Sequence, residues 1–190
     1  MSDSTPPDAD LLAMQRLAAG DDLALNEIMH RWRDKVVAFL KHMTGDPDAA
    51  VDLAQETFVR LYQHCGSYSP SAAFPTYLFR IAANLARNHQ RWHRRHPTVA
   101  LEDEEDAAGE TPGQQSSPDA DMQSGERLRT VEAAIAALPP DLREAMLLFT
   151  YENLSYAQIA EAAHCSSKAV ETRIYRARQM LKTLLKDMDA

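Results

Sequence analysis

The chain has little of what most enzymes and secreted proteins rely on. It holds two cysteines in 190 residues, Cys65 and Cys165, far apart and without a C-x-x-C partner. That speaks against a disulfide framework and suits reduced thiols in a cytosol. No apolar run approaches the ~20 residues that span a bilayer, so a membrane protein is not expected. The acidic, proline-bearing start, MSDSTPPDAD, resembles neither a secretory signal nor a transit peptide, and the expected location is cytoplasmic. No nucleophile–base pair, phosphate loop or complete ligand set appears. An enzyme is therefore the least supported class, and no cofactor is expected.

The other absences are local and concern charge. The net charge is -8, which argues superficially against nucleic acid, but its distribution points the other way. From Thr57 to Leu101 there is no Asp or Glu, while Arg60, Arg80, Arg87, Arg91, Arg94 and Arg95 all fall there. From Thr98 to Glu126 there is no Lys or Arg, and acids dominate from Glu102 to Asp106. This second block, rich in Gly, Pro and Ser, reads as a disordered, self-repelling linker.

What remains is helical throughout. Leu11, Leu12, Met14 and Leu17 mark a first short helix closed by Gly20, and Asp21 or Asp22 caps the next. That helix repeats apolar residues at three- and four-residue steps from Leu25 through Trp32 and Phe39 to Met43, ending at Gly45. Asp46-Pro47 restarts the chain as N-cap and first helical residue, followed by Ala50, Leu53, Ala54, Phe58, Leu61 and Tyr62. After a loop at 66–74, Pro75 opens a fourth helix. Past the linker, Leu128, Val131, Ile135 and Leu138 form a helix stopped by Pro139-Pro140, and Asp141 starts another. The fold class is all-α: two small helical domains, 1–97 and 127–190, joined by a flexible acidic linker, 98–126.

Two helices carry chemistry. In the fourth, Leu78, Ile81, Leu85 and Trp92 lie within about 60° of one another, and Arg80, Asn84, Arg87, Arg91 and Arg95 occupy the far side. Such a face offers charge for phosphates and amides for base edges. Tyr68, Phe74, Tyr77 and Phe79 lie beside it, the ingredients of a single-strand stacking platform, although Phe79 is better read as core. His89, His93 and His96 share a face, but the surrounding arginines oppose a cation, so phosphate or solvent contact is preferred to metal.

The last helix belongs to a helix-turn-helix pattern. Ser155 with Gln158 forms a capping box, the chain breaks at His164-Cys165-Ser166, and Ser166 caps the final helix. Val170, Ile174, Ala177 and Leu181 share one stripe of that helix, with Lys168, Glu171, Thr172, Tyr175, Arg176 and Gln179 opposite. An ordinary amphipathic helix would look similar. The basic excess of Lys168, Arg173, Arg176, Arg178, Lys182 and Lys186 favours a helix aimed at the major groove.

With both halves read, the chain resembles the extracytoplasmic-function (ECF) group of bacterial sigma factors over nearly its full length. VDLAQETFVRLYQ and FPTYLFRIAANLARNHQRWHRR match region 2, and ALPPDLREAMLLFTYENLSYAQIAEAAHCSSKAVETRIYRARQML matches region 4. The resemblance implies a transcription initiation factor, not an enzyme, working with core RNA polymerase, promoter DNA and an anti-sigma factor that is membrane-anchored in this family. By similarity, Asp52, Leu53, Gln55, Glu56 and Phe58 dock on polymerase. Tyr77, Arg80, Asn84, Arg87, Asn88 and Arg91 read the -10 element. Lys168, Glu171, Thr172, Arg173, Tyr175, Arg176 and Arg178 read the -35 element. The alternative is a stand-alone helix-turn-helix regulator, which leaves the acid-free Arg87–Arg95 segment unexplained.

The chain departs from the family pattern at Val51-Asp52, at Tyr77-Leu78 and at Ala169-Val170-Glu171-Thr172. Glu171 accepts from cytosine N4 but repels phosphate, whereas a base there favours guanine. A promoter-library selection is expected to return different preferred -35 bases for Glu171→Arg than for the parent chain.

Overall fold

The computed structural model describes residues 7–68, 73–96 and 118–188, with backbone alone at 7–8, 118–126 and 187–188. Eight α-helices and no strand occur among the described residues: α1 (Pro7–Ala18), α2 (Leu23–Thr44), α3 (Pro47–Gln63), α4 (Phe74–Arg95), α5 (Pro118–Ala136), α6 (Pro140–Thr150), α7 (Tyr156–Ala162) and α8 (Ser167–Met188).

Local chemistry sets most boundaries. Gly20 and Gly45 end α1 and α2 at φ +93° and +76°, a left-handed backbone that glycine adopts without Cβ strain. The Gly45 N–H donates to Lys41 O at 2.8 Å. Asp46 Oδ1 then accepts from the Asp48 and Ala49 N–H groups at 2.9 and 3.0 Å, as its position before Pro47 requires. The cap of α2 is resolved in favour of Asp21, whose Oδ1 accepts from Leu23 N at 3.1 Å, while Asp22 makes no capping bond. In α7 the capping box is complete, with Ser155 N donating to Gln158 Oε1 at 2.8 Å. His164 takes φ +51° at the turn into α8.

One expectation is corrected at the linker. Composition assigns 98–126 to disorder, yet α5 begins at Pro118, so 118–126 is helical backbone. Proline in a first turn loses no intrahelical bond, and a breaker count misreads it as loop. Residues 98–117 and 69–72 of the two expected loops lie outside the described residues.

In the N-terminal half α1 and α2 pack together and α3 and α4 close over them. Trp32 meets Phe74 and Phe79 at ring distances of 5.7 and 6.2 Å, and Phe39 meets Phe79 at 5.3 Å. Phe79 is core, as its spacing indicates. Trp92 is not: it is 54% exposed near the end of α4, where it stacks on His96. Its helical angle matches the core stripe, but α4 has outrun the helices it packs against.

The two halves are not separate in space. α4 packs against α7, and α2 against α5 and α6. One contiguous buried cluster therefore runs from Ile28, Phe39 and Leu78 through Leu147, Leu148 and Ile159 to Val170 and Ile174.

A single buried carboxylate ties α1 to this core. Asp10 accepts from Arg31 Nε at 2.9 Å and from Trp32 Nε1 at 3.1 Å. Asp10→Ala strands both donors, and the loss expected in a urea titration is roughly 1.5–3 kcal/mol. Asp10→Asn keeps the Trp32 acceptor and should recover part of it.

Candidate polymerase and nucleic-acid interfaces

Along α3, Asp52 and Gln55 face solvent, Leu53 is half-buried, and the half-buried Glu56 is held by Arg60 at 2.7 Å. Phe58 departs from the expectation of a docking residue. It is 3% exposed and belongs to the core, because it shares a stripe with Ala50, Ala54 and Leu61. The apolar groups that α3 does present are Val51, Val59 and Tyr62. Val51 and Val59 flank Gln55 at four-residue steps, a pattern visible in the sequence once Phe58 is assigned inward.

On α4 the polar face is present but engaged. Arg87 Nη1 donates to Glu144 Oε1 at 2.5 Å, and its Nη2 donates to Asn84 Oδ1. Glu144, on α6, is 2% exposed. Arg80 lies 3.9 Å from Glu161 on α7, with its guanidinium over the Tyr77 ring at 5.1 Å. Asn88 and Arg91 are exposed. The acids that α4 lacks in its own stretch of sequence are supplied by the other half of the chain.

Tyr77 is corrected as well. Its ring is 7% exposed, packed on Tyr68 at 5.1 Å, and its hydroxyl donates to His64 O at 3.4 Å. It supports the loop rather than offering a face to a base. His89 and His93 meet with Nε2 atoms 3.0 Å apart, while His96 turns to the Trp92 carbonyl and ring. Burial, then His93, pull the His89 imidazole down, with Asp46 opposing.

Polar bonds missed by sequence reasoning hold the two halves together. Arg143 of α6 donates through Nη1 to His42 O and Met43 O, the last carbonyls of α2, at 3.3 and 3.0 Å. Its Nη2 reaches Ala136 O and, at 3.0 Å, Leu138 O. A cation beside unsatisfied C-terminal carbonyls is favourable, but no sequence spacing announces a bond between residues so far apart.

The exposed stripe of α8 is arranged as expected. Lys168, Glu171, Thr172, Tyr175, Arg176 and Arg178 are exposed, over a buried stripe of Val170, Ile174 and Ala177. Glu171 pairs with Lys168 at 3.0 Å, which partly offsets its repulsion of phosphate. Arg173 is the exception, half-buried and 3.5 Å from Asp141. It braces α8 against α6. Arg178 leans over the Phe149 ring at 5.2 Å.

Between α2 and the end of α6 lies a cleft of about 340 Å³, walled by Asp34, Lys35, Phe39, His42, Leu147, Tyr151 and Glu152. His42 stacks on Tyr151 at 5.6 Å. Burial pushes the Glu152 carboxyl up to about 7, against the pull of Lys35. The His42 imidazole is lowered, chiefly by burial and secondarily by Lys41 and Arg143, with Glu132 opposing.

The sigma-70 region 2 family matches residues 28–96, and the sigma-70 region 4 family matches residues 128–181. The chain is 34% identical over 179 residues to the RNA polymerase sigma-H factor of Pseudomonas aeruginosa, covering 92% of this chain and 93% of that protein. It is 33% identical over 183 residues to the ECF RNA polymerase sigma-E factor of Haemophilus influenzae, covering 94% and 96%. Among solved structures, CnrH in complex with the cytosolic domain of CnrY superposes with a TM-score of 0.71 at 24% identity, over 96% of this chain and 100% of that one. RpoE of Bartonella quintana, in complex with the anti-sigma factor NepR, gives 0.68 at 24% identity, over 85% and 96%. These two likenesses establish the fold.

Because both halves wall the cleft, any parting of them is coupled to pH. A raised carboxyl means the closed form binds a proton that the open form releases. Glu152 therefore favours closure at low pH and loses that contribution as pH rises from the ordinary carboxylate range through about 7. The lowered His42 acts oppositely: the open form takes up the proton, so closure weakens as pH falls below the ordinary histidine value near 6.5. Small-angle scattering should show the radius of gyration falling as pH drops from about 7 toward about 5, with His42 opposing below about 6.5. Glu152→Gln should abolish that step.

Proposed function

The chain belongs to the ECF group of the sigma-70 factors, and on that premise we propose that it carries core RNA polymerase to promoters, with its two halves as separate DNA readers. The α3 surface of Asp52, Leu53, Gln55 and Glu56, widened by Val51, Val59 and Tyr62, docks on polymerase, and Phe58 supports it from behind. Arg80, Asn84, Arg87, Asn88 and Arg91 read the -10 element as it opens. Flipping a base costs a few kcal/mol, least where the duplex is already parting. The exposed stripe of α8 reads the -35 element, with Arg178 near phosphates and Arg173 bracing the helix.

The observation that carries this reading is the engagement of Arg87 by the buried Glu144. A -10 reader whose central arginine is held by its own C-terminal half reaches DNA only after the halves part. Polymerase, holding them at separate places, supplies that parting. A stand-alone helix-turn-helix regulator needs no such release. The closed arrangement also favours control by an anti-sigma factor, cytoplasmic or anchored at the membrane, that keeps the halves together.

The test is run-off transcription with purified core polymerase. Start-site selection should require this chain, and Arg87→Ala combined with Arg176→Ala should reduce specific transcript by at least about tenfold, roughly 1.4 kcal/mol. Without polymerase the chain should bind duplex promoter weakly and in a steeply salt-dependent way. Tight duplex binding by the chain alone would favour the regulator.

A further inference from the structure

The closed form builds a second feature at the same junction. A cleft of about 260 Å³ opens between α4 and the α6–α8 side, and Arg87, Gln90, Arg91, Arg94, Asp141, Glu144 and Arg173 line it. Arg87, Gln90, Arg91 and Arg94 fall at three- and four-residue steps, so one face of α4 supplies one wall. Four guanidiniums, 87, 91, 94 and 173, meet two carboxylates, 141 and 144, which leaves two positive charges unbalanced. The carboxylates are already taken, Glu144 by Arg87 and Asp141 by Arg173. Arg91 and Arg94 have no carboxylate partner among the described residues, and Arg94 only shares the Gln90 carbonyl at 3.3 Å. The first turn of α6, starting at Pro140, adds the positive end of a helix to the same wall as Asp141.

We propose that this cleft binds a small phosphoryl polyanion, a diphosphate or the phosphate tail of a nucleotide, through guanidiniums from both halves of the chain. Guanidinium forks match phosphate oxygens in pairs, and a cleft lined by one sign of charge concentrates its counter-ion. Its volume is below the ~300 Å³ at which drug-sized ligands begin to fit, which favours a compact anion over a nucleic-acid strand. The walls come from α4 on one side and α6 and α8 on the other, so the site exists only in the closed form. Whatever binds there stabilises closure by mass action and, by reciprocity, opposes docking that needs the halves apart. This regulatory consequence rests on the sigma-factor reading; the binding itself does not.

Isothermal titration of the full-length chain with inorganic diphosphate, at low salt and without magnesium, tests the site. One saturable site is expected, weakened about tenfold by Arg94→Ala from one wall and comparably by Arg173→Ala from the other. Arg33→Ala, away from the cleft, should leave it unchanged. Arg173→Lys, which keeps the charge and loses the fork, covers the case in which the alanine variant unfolds, and it should give an intermediate loss. Repeating the titration with GTP distinguishes a free diphosphate from a nucleotide tail, and tighter binding of either supports the proposal. Absence of saturable binding, or binding sensitive to α4 arginines alone, would overturn it, since the latter marks an open basic patch. In the same buffer, diphosphate should weaken the affinity of the chain for core polymerase severalfold, and less so for Arg94→Ala. Diphosphate binding without any effect on polymerase would sink the regulatory role and leave the site standing. Failure of run-off transcription would sink the sigma-factor reading and leave the titration untouched.

Discussion

A carboxylate removed from water must find a cation or give up its charge, and for Glu144 the cation comes from the other half of the chain. Glu144 is almost fully buried and its ion-pair partner is Arg87. Leaving either group alone is far more costly than the pair is favourable. The apolar cluster shared by both halves holds the junction, and the buried pair adds a penalty to any parting that leaves either charge uncompensated. That penalty disappears when both groups reach water or new partners. If Arg87 reads promoter DNA as proposed, phosphate would compete with Glu144 for it, and the two uses would exclude each other.

This dual use explains how an acidic protein handles DNA. Repulsion from a negative chain limits contact with duplex, and the basic residues on α4 are partly masked by Glu144 and Glu161. On α8 the basic residues are exposed but carry Glu171 among them. On the proposed reading each grip alone would be weak, and specificity would come from a third body that fixes their separation.

Much of the scaffold was legible from residues alone, because its signals are local. Gly45 followed by Asp46-Pro47, and Ser155 with Gln158, fix helix ends by chemistry that acts within four residues. The stripes of α8 followed from a single period. What escaped was set by distance or by competition between uses. Phe58 and Tyr77 carry the residue types of an interface, yet both are buried: Phe58 shares a stripe with Ala54 and Leu61, and Tyr77 is covered by Tyr68 and the end of α3 across a gap in sequence. Trp92 shows the reverse, an apolar angle with nothing left to pack on. The pairing of Arg87 with Glu144, and the reach of Arg143 to the end of α2, join residues that no periodicity connects. Pro118 misled because proline starts helices as well as ending them.

Arg143 would shape any parting of the halves. One guanidinium holds carbonyls at the end of α2, at the end of α5 and in the turn before α6. Were the halves to part, it would leave the α2 carbonyls, of which Met43 O keeps Gln90 as a donor, and would keep those beside its own helix. The joint behaves as a hook and eye: one part stays sewn to its cloth, and it can be fastened again without being remade.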